Sequence, residues 1–227
     1  MQKSMIKLLS VADVVSLTNA IFGFLAIIMI FSNEMRLAFS FILLALLADG
    51  LDGIVARKIR KGELGEYMEA MADMISLGVA PAFFVYNTYY DTVLDNMFYH
   101  GLLVAVLIIF LSLGIVRLAS FHIIKEEKFF VGLPASASTI FIIVLSFLKI
   151  EFMYILPFIV VISFAMISPL RFPKTGLKIN AFAAVFILVT IIFGGIYYNF
   201  APVMLFFVIA AYSIIGPIYV RKKLFVG

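Results

Sequence analysis

Residues 97–120 read MFYHGLLVAVLIIFLSLGIVRLAS, with no charged side chain before Arg117. Wound as an α-helix rising 1.5 Å per residue, about 20 such residues cross the roughly 30 Å hydrocarbon core of a bilayer. Seven more runs of this kind lie near residues 11–31, 38–56, 68–89, 134–148, 152–170, 179–197 and 201–220. The 134–148 run is short for a span. None alternates apolar and polar residues as barrel strands do. The expected fold is all-α: a polytopic integral membrane bundle of about eight transmembrane helices, with short loops and a single domain over residues 1–227.

Composition requires lipid as the main solvent. Of the 227 residues 65% are hydrophobic and 13% charged, against roughly 25% charged in an average soluble domain. A soluble fold has too little interior for this much apolar surface. Cysteine is absent, which excludes disulfides and thiolate metal sites; tryptophan is absent too, so an interfacial aromatic belt falls to tyrosine and phenylalanine. The net charge of +4 is too small and too divided to indicate a nucleic-acid partner. Lys3 and Lys7 precede the first run, which continues to Phe31. That is longer than a signal peptide's apolar core, so the run is read as the first span.

The basic residues give an orientation. Lys3 and Lys7, then Arg57, Lys58, Arg60 and Lys61, then Arg117, Lys125 and Lys128, then Arg171, Lys174 and Lys178, and finally Arg221, Lys222 and Lys223 fall in alternate connections and the two ends. Arg36 and Lys149 are left for the other side, with Glu34, Asp91, Asp95 and Glu151. By the positive-inside rule both termini are expected in the cytoplasm, in a multi-pass protein of the cell membrane.

Acidic residues occur where they are costly. The second run ends Leu47-Ala48-Asp49-Gly50-Leu51-Asp52-Gly53-Ile54-Val55-Ala56-Arg57, and the third begins Gly65-Glu66-Tyr67-Met68-Glu69-Ala70-Met71-Ala72-Asp73. Asp49 and Asp52 are three apart, Glu69 and Asp73 four apart, so each pair shares a helix face. A short connection suggests that the two faces meet near the cytoplasmic surface. Crowded carboxylates repel, and desolvating each costs several kcal/mol. Divalent cations remove that cost, and hard oxygen ligands suit Mg²⁺, Mn²⁺ or Ca²⁺ rather than zinc. Two such ions can clamp phosphate oxygens during an in-line displacement. Gly50 and Gly53, unfavourable within a helix, are expected where a helix or ligand approaches the backbone. Arg57 can neutralise phosphate beside the metals. The plainer readings are interfacial acids, or a carboxylate ion path in a transporter.

These residues resemble the signature of the CDP-alcohol phosphatidyltransferases, D-x-x-D-G-x-x-A-R followed after a short gap by G-x-x-x-D-x-x-x-D. Asp49, Asp52, Gly53, Ala56, Arg57, Gly65 and Asp73 match, and Glu69 stands where the family has aspartate. Further segments resemble the phosphatidylserine synthase branch. Asp73-Met74-Ile75-Ser76-Leu77-Gly78-Val79-Ala80-Pro81-Ala82 is similar to D-x-x-S-F-G-V-A-P-A. Arg117-Leu118-Ala119-Ser120-Phe121-His122 is similar to R-L-A-R-F-N, and Gly132-Leu133-Pro134-Ala135-Ser136-Ala137 to G-L-P-x-P-A. Ser16-Leu17-Thr18-Asn19, followed by Gly23, is similar to T-L-L-N and N-x-x-x-G. The resemblance ends near residue 140.

The resemblance implies a homodimeric, metal-dependent membrane enzyme that moves a phosphatidyl group from CDP-diacylglycerol to L-serine and releases CMP. It implies two divalent ions, Mg²⁺ or Mn²⁺ with Ca²⁺ able to replace them, on Asp49, Asp52, Glu69 and Asp73, with Asp73 as the base. Gly53, Ala56, Arg57 and Gly65 would accommodate the CMP part, helped by Ser16 and Asn19. Zwitterionic serine needs a cation for its carboxylate, for which Arg117 is the candidate, and polar contacts from Ser76 and Ser136. The alternatives are a synthase using glycerol phosphate or inositol phosphate, which needs a further basic site, and a transporter that releases no CMP.

Overall fold

The computed structural model describes residues 9–58, 64–121, 123, 124, 126, 129–174, 176–194 and 199–226. Within its helices the side chains of residues 11, 12, 52–58, 177, 178 and 223–226 lie outside the description.

Helix α1 (Val11–Phe31) opens on a capping box. The Ser10 hydroxyl accepts from the Asp13 N–H, and the Asp13 carboxylate accepts from the Ser10 N–H at 2.7 Å. Asp13 is almost fully buried, and this exchange at the positive end of the helix offsets the cost. The helix stops in a Schellman turn. Asn33 takes φ of 60°, its N–H donates to Ile30 O, and the Glu34 N–H donates to Met29 O at 2.8 Å. Helix α2 (Met35–Lys58) then runs back along α1.

The third run forms one helical path in three parts: α3 (Gly65–Asp73), a π turn (Met74–Val79) and α4 (Ala80–Val93). It is followed by α5 (Met97–Phe121), β1 (Phe129–Val131), α6 (Ala135–Phe147), α7 (Phe152–Met166), β2 (Arg171–Pro173), α8 (Leu177–Phe193) and α9 (Phe200–Val226). A second Schellman turn, with Lys149 at φ of 52°, separates α6 from α7.

Helix α6 lies at the centre. Residues 137–144 are buried without a break, enclosed by α2, α4, α5, α7, α9 and the π turn. An apolar helix without a polar face belongs inside a bundle. The outer helices expose Phe24, Ile108, Val161 and Ile192, as a lipid-facing surface requires.

The expectation of an all-α bundle of about eight spans is met in part. Four helical stretches among the described residues, Asp13–Phe31, Gly65–Val93, Met97–Phe121 and Phe200–Lys222, are long and apolar enough to cross a membrane. Helices α6, α7 and α8 have 13, 15 and 17 residues, short of the roughly 20 a straight span needs. The all-α expectation also omits the antiparallel β1–β2 ribbon, which pairs Phe129 with Pro173, Phe130 with Phe172 and Val131 with Arg171. The ribbon joins two connections read as lying on the basic side, and Lys174 Nζ reinforces it by donating to Glu126 O at 2.6 Å. At the opposite end, the Tyr89 hydroxyl donates to Ile150 O.

The ribbon leads into α6 through Gly132, at φ of 77°. A β-carbon there would sit 2.0 Å from Met166 O. Gly132→Ala is therefore expected to cost about 1–3 kcal/mol in backbone strain alone, and more through the clash. Thermal unfolding in detergent, followed by circular dichroism, should show a clearly lowered Tm.

Candidate active site

The site begins where α1 crosses the π turn. A β-carbon on Gly23 would stand 2.7 Å from Ser76 Cα and 2.8 Å from Ser76 Cβ, so only glycine permits this approach. One turn earlier on α1, Asn19 reaches Asp73, the last residue of α3, with Nδ2 donating to Asp73 Oδ1 at 2.8 Å. Both side chains are buried. An ionised carboxylate accepts only, which fixes which end of the amide faces it. Asn19 Oδ1 is then left buried, with no hydrogen-bond partner among the described residues.

Ser16 is buried one turn before Asn19 on α1. Glu69 is half-buried one turn before Asp73, and Asp49 is half-buried on α2. Gly65 is buried as the first residue of α3, whose cap residue Leu64 makes no side-chain bond to the helix. The first-turn N–H groups of α3 are thus not capped by that side chain. The side chains of Asp52, Ala56 and Arg57, and the surroundings of Gly53, lie outside the described residues.

The expected meeting of α2 with α3 falls at the end of α2, where the side chains from residue 52 onward lie outside the described residues. Helix α1 packs against both, and α2 meets this stretch at the π turn. A β-carbon at Gly50 would meet nothing within 4 Å, so its backbone stands open, whereas another helix crosses at Gly23. Ser76 is fully buried in the α1 crossing, and its hydroxyl donates to Ala72 O at 3.1 Å. Ser136 is half-buried in the first turn of α6.

Among the described residues no three acidic or histidine side chains converge as a metal cluster; Asp52 is outside that comparison. The donor chemistry nevertheless fits a divalent ion. A buried amide oxygen without a donor, beside a buried carboxylate, calls for positive charge, and oxygen-only donors suit Mg²⁺ or Mn²⁺.

A second polar feature closes the basic end of α5. Arg117 is buried, with its guanidinium 5.4 Å from the centroid of Phe121 and its Nε without a hydrogen-bond partner among the described residues. It lines a cavity of about 120 Å³ together with Ser120, Glu126, Ser168 and Lys174. Glu126 pairs with Arg171 at 3.6 Å. Tyr212 of α9 is near enough to interact with the Arg117 charge, and donates its hydroxyl to Pro173 O at 3.1 Å. Sequence reasoning missed Glu126 and Tyr212. One is a lone acid in a basic connection and the other an aromatic in an apolar run, so neither carries a motif.

Helix α1 packs against both helices that carry the signature carboxylates, α2 and α3. A family model described as CDP-alcohol phosphatidyltransferase matches residues 9–214, and the chain belongs to that family. It is 34% identical over 176 residues to the CDP-diacylglycerol–serine O-phosphatidyltransferase of Methanocaldococcus jannaschii, covering 76% of this chain and 78% of the relative. It is 31% identical over 180 residues to the archaetidylserine synthase of Methanothermobacter thermautotrophicus, covering 76% and 73%. Over 191 residues it is 27% identical to a CDP-diacylglycerol–serine O-phosphatidyltransferase of Helicobacter pylori, covering 75% and 76%.

The Asn19–Asp73 bond depends on the Gly23 crossing. A hydrogen bond to a charged group contributes about 1.5–3 kcal/mol. Asn19→Ala is expected to slow CMP release from a CDP-lipid by roughly ten- to a hundredfold. Gly23→Ala should slow it comparably by forcing the helices apart. Detergent-purified variants, compared at matched folded fraction, provide the measurement.

Proposed function

We propose that the chain transfers a phosphatidyl-type group from a CDP-linked lipid, with ester or ether tails, to the hydroxyl of L-serine and releases CMP. The carrying observation is the cavity at the end of α5, where buried Arg117 and the Glu126 carboxylate line one small space. A zwitterionic amino acid matches that pair, its carboxylate toward Arg117 and its ammonium toward Glu126. Serine phosphatidyltransferases among the relatives support the same acceptor.

The serine oxygen attacks the phosphorus bonded to the lipid, and the bond from that phosphorus to CMP breaks. Asp73 takes the hydroxyl proton, oriented for this by Asn19. Gly65 and the first turn of α3, with Gly53, Ala56 and Arg57, receive the CMP part. Asp49, Asp52, Glu69 and Asp73 would hold two divalent ions, which supply charge neutralisation to the diphosphate. The chain acts as a single domain of about eight spans, a homodimer in the cell membrane. Both termini and the active site face the cytoplasm.

Incubating purified protein with CDP-diacylglycerol or its ether equivalent and Mg²⁺ or Mn²⁺, adding alcohols singly, tests the reading. CMP should appear with serine and not with glycerol phosphate or inositol phosphate. Release with neither serine nor any other alcohol would favour a transporter. EDTA or Asp49→Asn should abolish turnover without unfolding the protein, and full turnover in EDTA would remove the metals from the reading. Arg117→Ala and Glu126→Gln should each raise the serine KM about tenfold or more, with the KM for the CDP-lipid little changed; equal effects on both substrates would assign the two residues to folding.

A further inference from the structure

The π turn after Asp73 has a cause in the sequence. In an α-helix the Leu77 carbonyl would accept from the N–H of residue 81, which is proline. Proline has no N–H, and its ring crowds the carbonyl four residues earlier. The path widens at this point, and the Ala80 N–H donates back five residues to Ile75 O. The stranded Leu77 carbonyl is buried, where an unmet acceptor is costly. Thr139 of α6 meets it, its hydroxyl donating to Leu77 O at 2.7 Å between two buried residues.

Few hydroxyls of the described residues make such a bond; Thr190 also reaches another helix, at Ala201 O, but alongside a local bond to Phe186 O. Thr18, Ser40, Thr88, Ser120 and Ser163 each donate to the carbonyl four residues back in their own helix, the local habit of helical hydroxyls. Thr139 instead reaches across to another helix. The carbonyl it holds belongs to the turn that follows Asp73 directly. A π turn adds a residue to the path, offsetting the face that carries Glu69 and Asp73 from the face of α4 that buries Phe84 and Val85.

We infer that Thr139 is a positioning residue for the transfer reaction: by holding the Leu77 carbonyl left open by Pro81, it fixes the π turn that aims Asp73 at Asn19 and the substrate. The inference rests on Asp73 acting in the reaction, as proposed above. Thr139→Val keeps the shape and removes the donor, whereas Thr139→Ser keeps the donor.

The full chain in lipid nanodiscs is the test system. Thr139→Val should speed amide hydrogen exchange across residues 74–82 at least tenfold and lower kcat about tenfold, the rate equivalent of about 1.4 kcal/mol. Both KM values should stay within about twofold. Thr139→Ser should resemble the parent in exchange and in kcat. Pro81→Ala returns a backbone donor to Leu77, so exchange protection should recover in the Pro81→Ala/Thr139→Val double variant. Unchanged exchange in Thr139→Val would overturn the inference, as would a Thr139→Ser variant equally impaired or a double variant still unprotected. Asp73→Asn separates the two readings: retained turnover there removes Asp73 from the chemistry, while the exchange comparison judges the clamp independently.

Discussion

Everything at the site depends on one backbone contact, the passage of α1 over the π turn at Gly23 and Ser76. A β-carbon at 2.7 Å from a backbone atom has no side chain to push aside, so the crossing exists only because residue 23 is glycine. Asn19 lies one turn from that point on α1, and Asp73 lies three residues from it on the other path. The contact therefore brings an amide and a carboxylate, 54 positions apart in sequence, to 2.8 Å. Helix α3 gains its support from α1 in this way, and α2 is brought to the same neighbourhood through α1 and the π turn.

Lipid makes such contacts decisive. Apolar side chains gain little by leaving hydrocarbon for protein, so helices associate through close packing at small residues and through polar bonds. The buried polar groups divide accordingly. Asp13 is met by the cap it forms with Ser10, most helical hydroxyls turn to their own backbone, and Asn19, Asp73 and Thr139 bond between helices. The bonds of Asn19, Asp73 and Thr139 converge on the stretch 73–77, while Thr190 ties α8 to Ala201 O of α9. Arg117 stands apart from all three, a buried cation whose Nε has no hydrogen-bond partner among the described residues, on a small cavity.

Much of the scaffold was legible in the sequence because hydropathy in lipid is a strong, local signal. The first run was read at 11–31 and α1 is Val11–Phe31; the 97–120 run is α5, Met97–Phe121. The carboxylate spacing marked the chemistry for the same reason, since charged residues in apolar runs are rare enough to stand out. What stayed hidden depends on pairs of distant residues. Gly50 and Gly23 look alike as sequence, yet one faces open space and the other a backbone. Ser76 looked available, and its burial follows only from knowing what crosses it. The ribbon joins two three-residue strands 42 residues apart in register, too short to leave a pattern. The runs read near 134–148, 152–170 and 179–197 form helices of 13, 15 and 17 residues, and which helices cross the bilayer depends on packing and tilt as well as on run length.

The helices in which no motif was read, α7 to α9, fall largely within the family match over residues 9–214 and are tied to the site. Tyr212 of α9 bonds Pro173 O, and a β-carbon on Gly216 would lie 2.9 Å from Pro173 Cδ, so α9 is seated against the ribbon as closely as α1 is seated on the π turn. The ribbon in turn holds Lys174 and Arg171 on Glu126, which lines the Arg117 cavity. Displacing α9 would loosen the ribbon, and the ribbon borders that cavity through Phe129, Phe130 and Val131. The first half of the chain thus carries the signature carboxylates, and the second half closes the Arg117 cavity. The division follows from chemistry. A phosphate-handling centre demands particular side chains at fixed spacing, and so leaves a signature, whereas enclosing a small polar cavity demands shape, which many apolar sequences supply equally well.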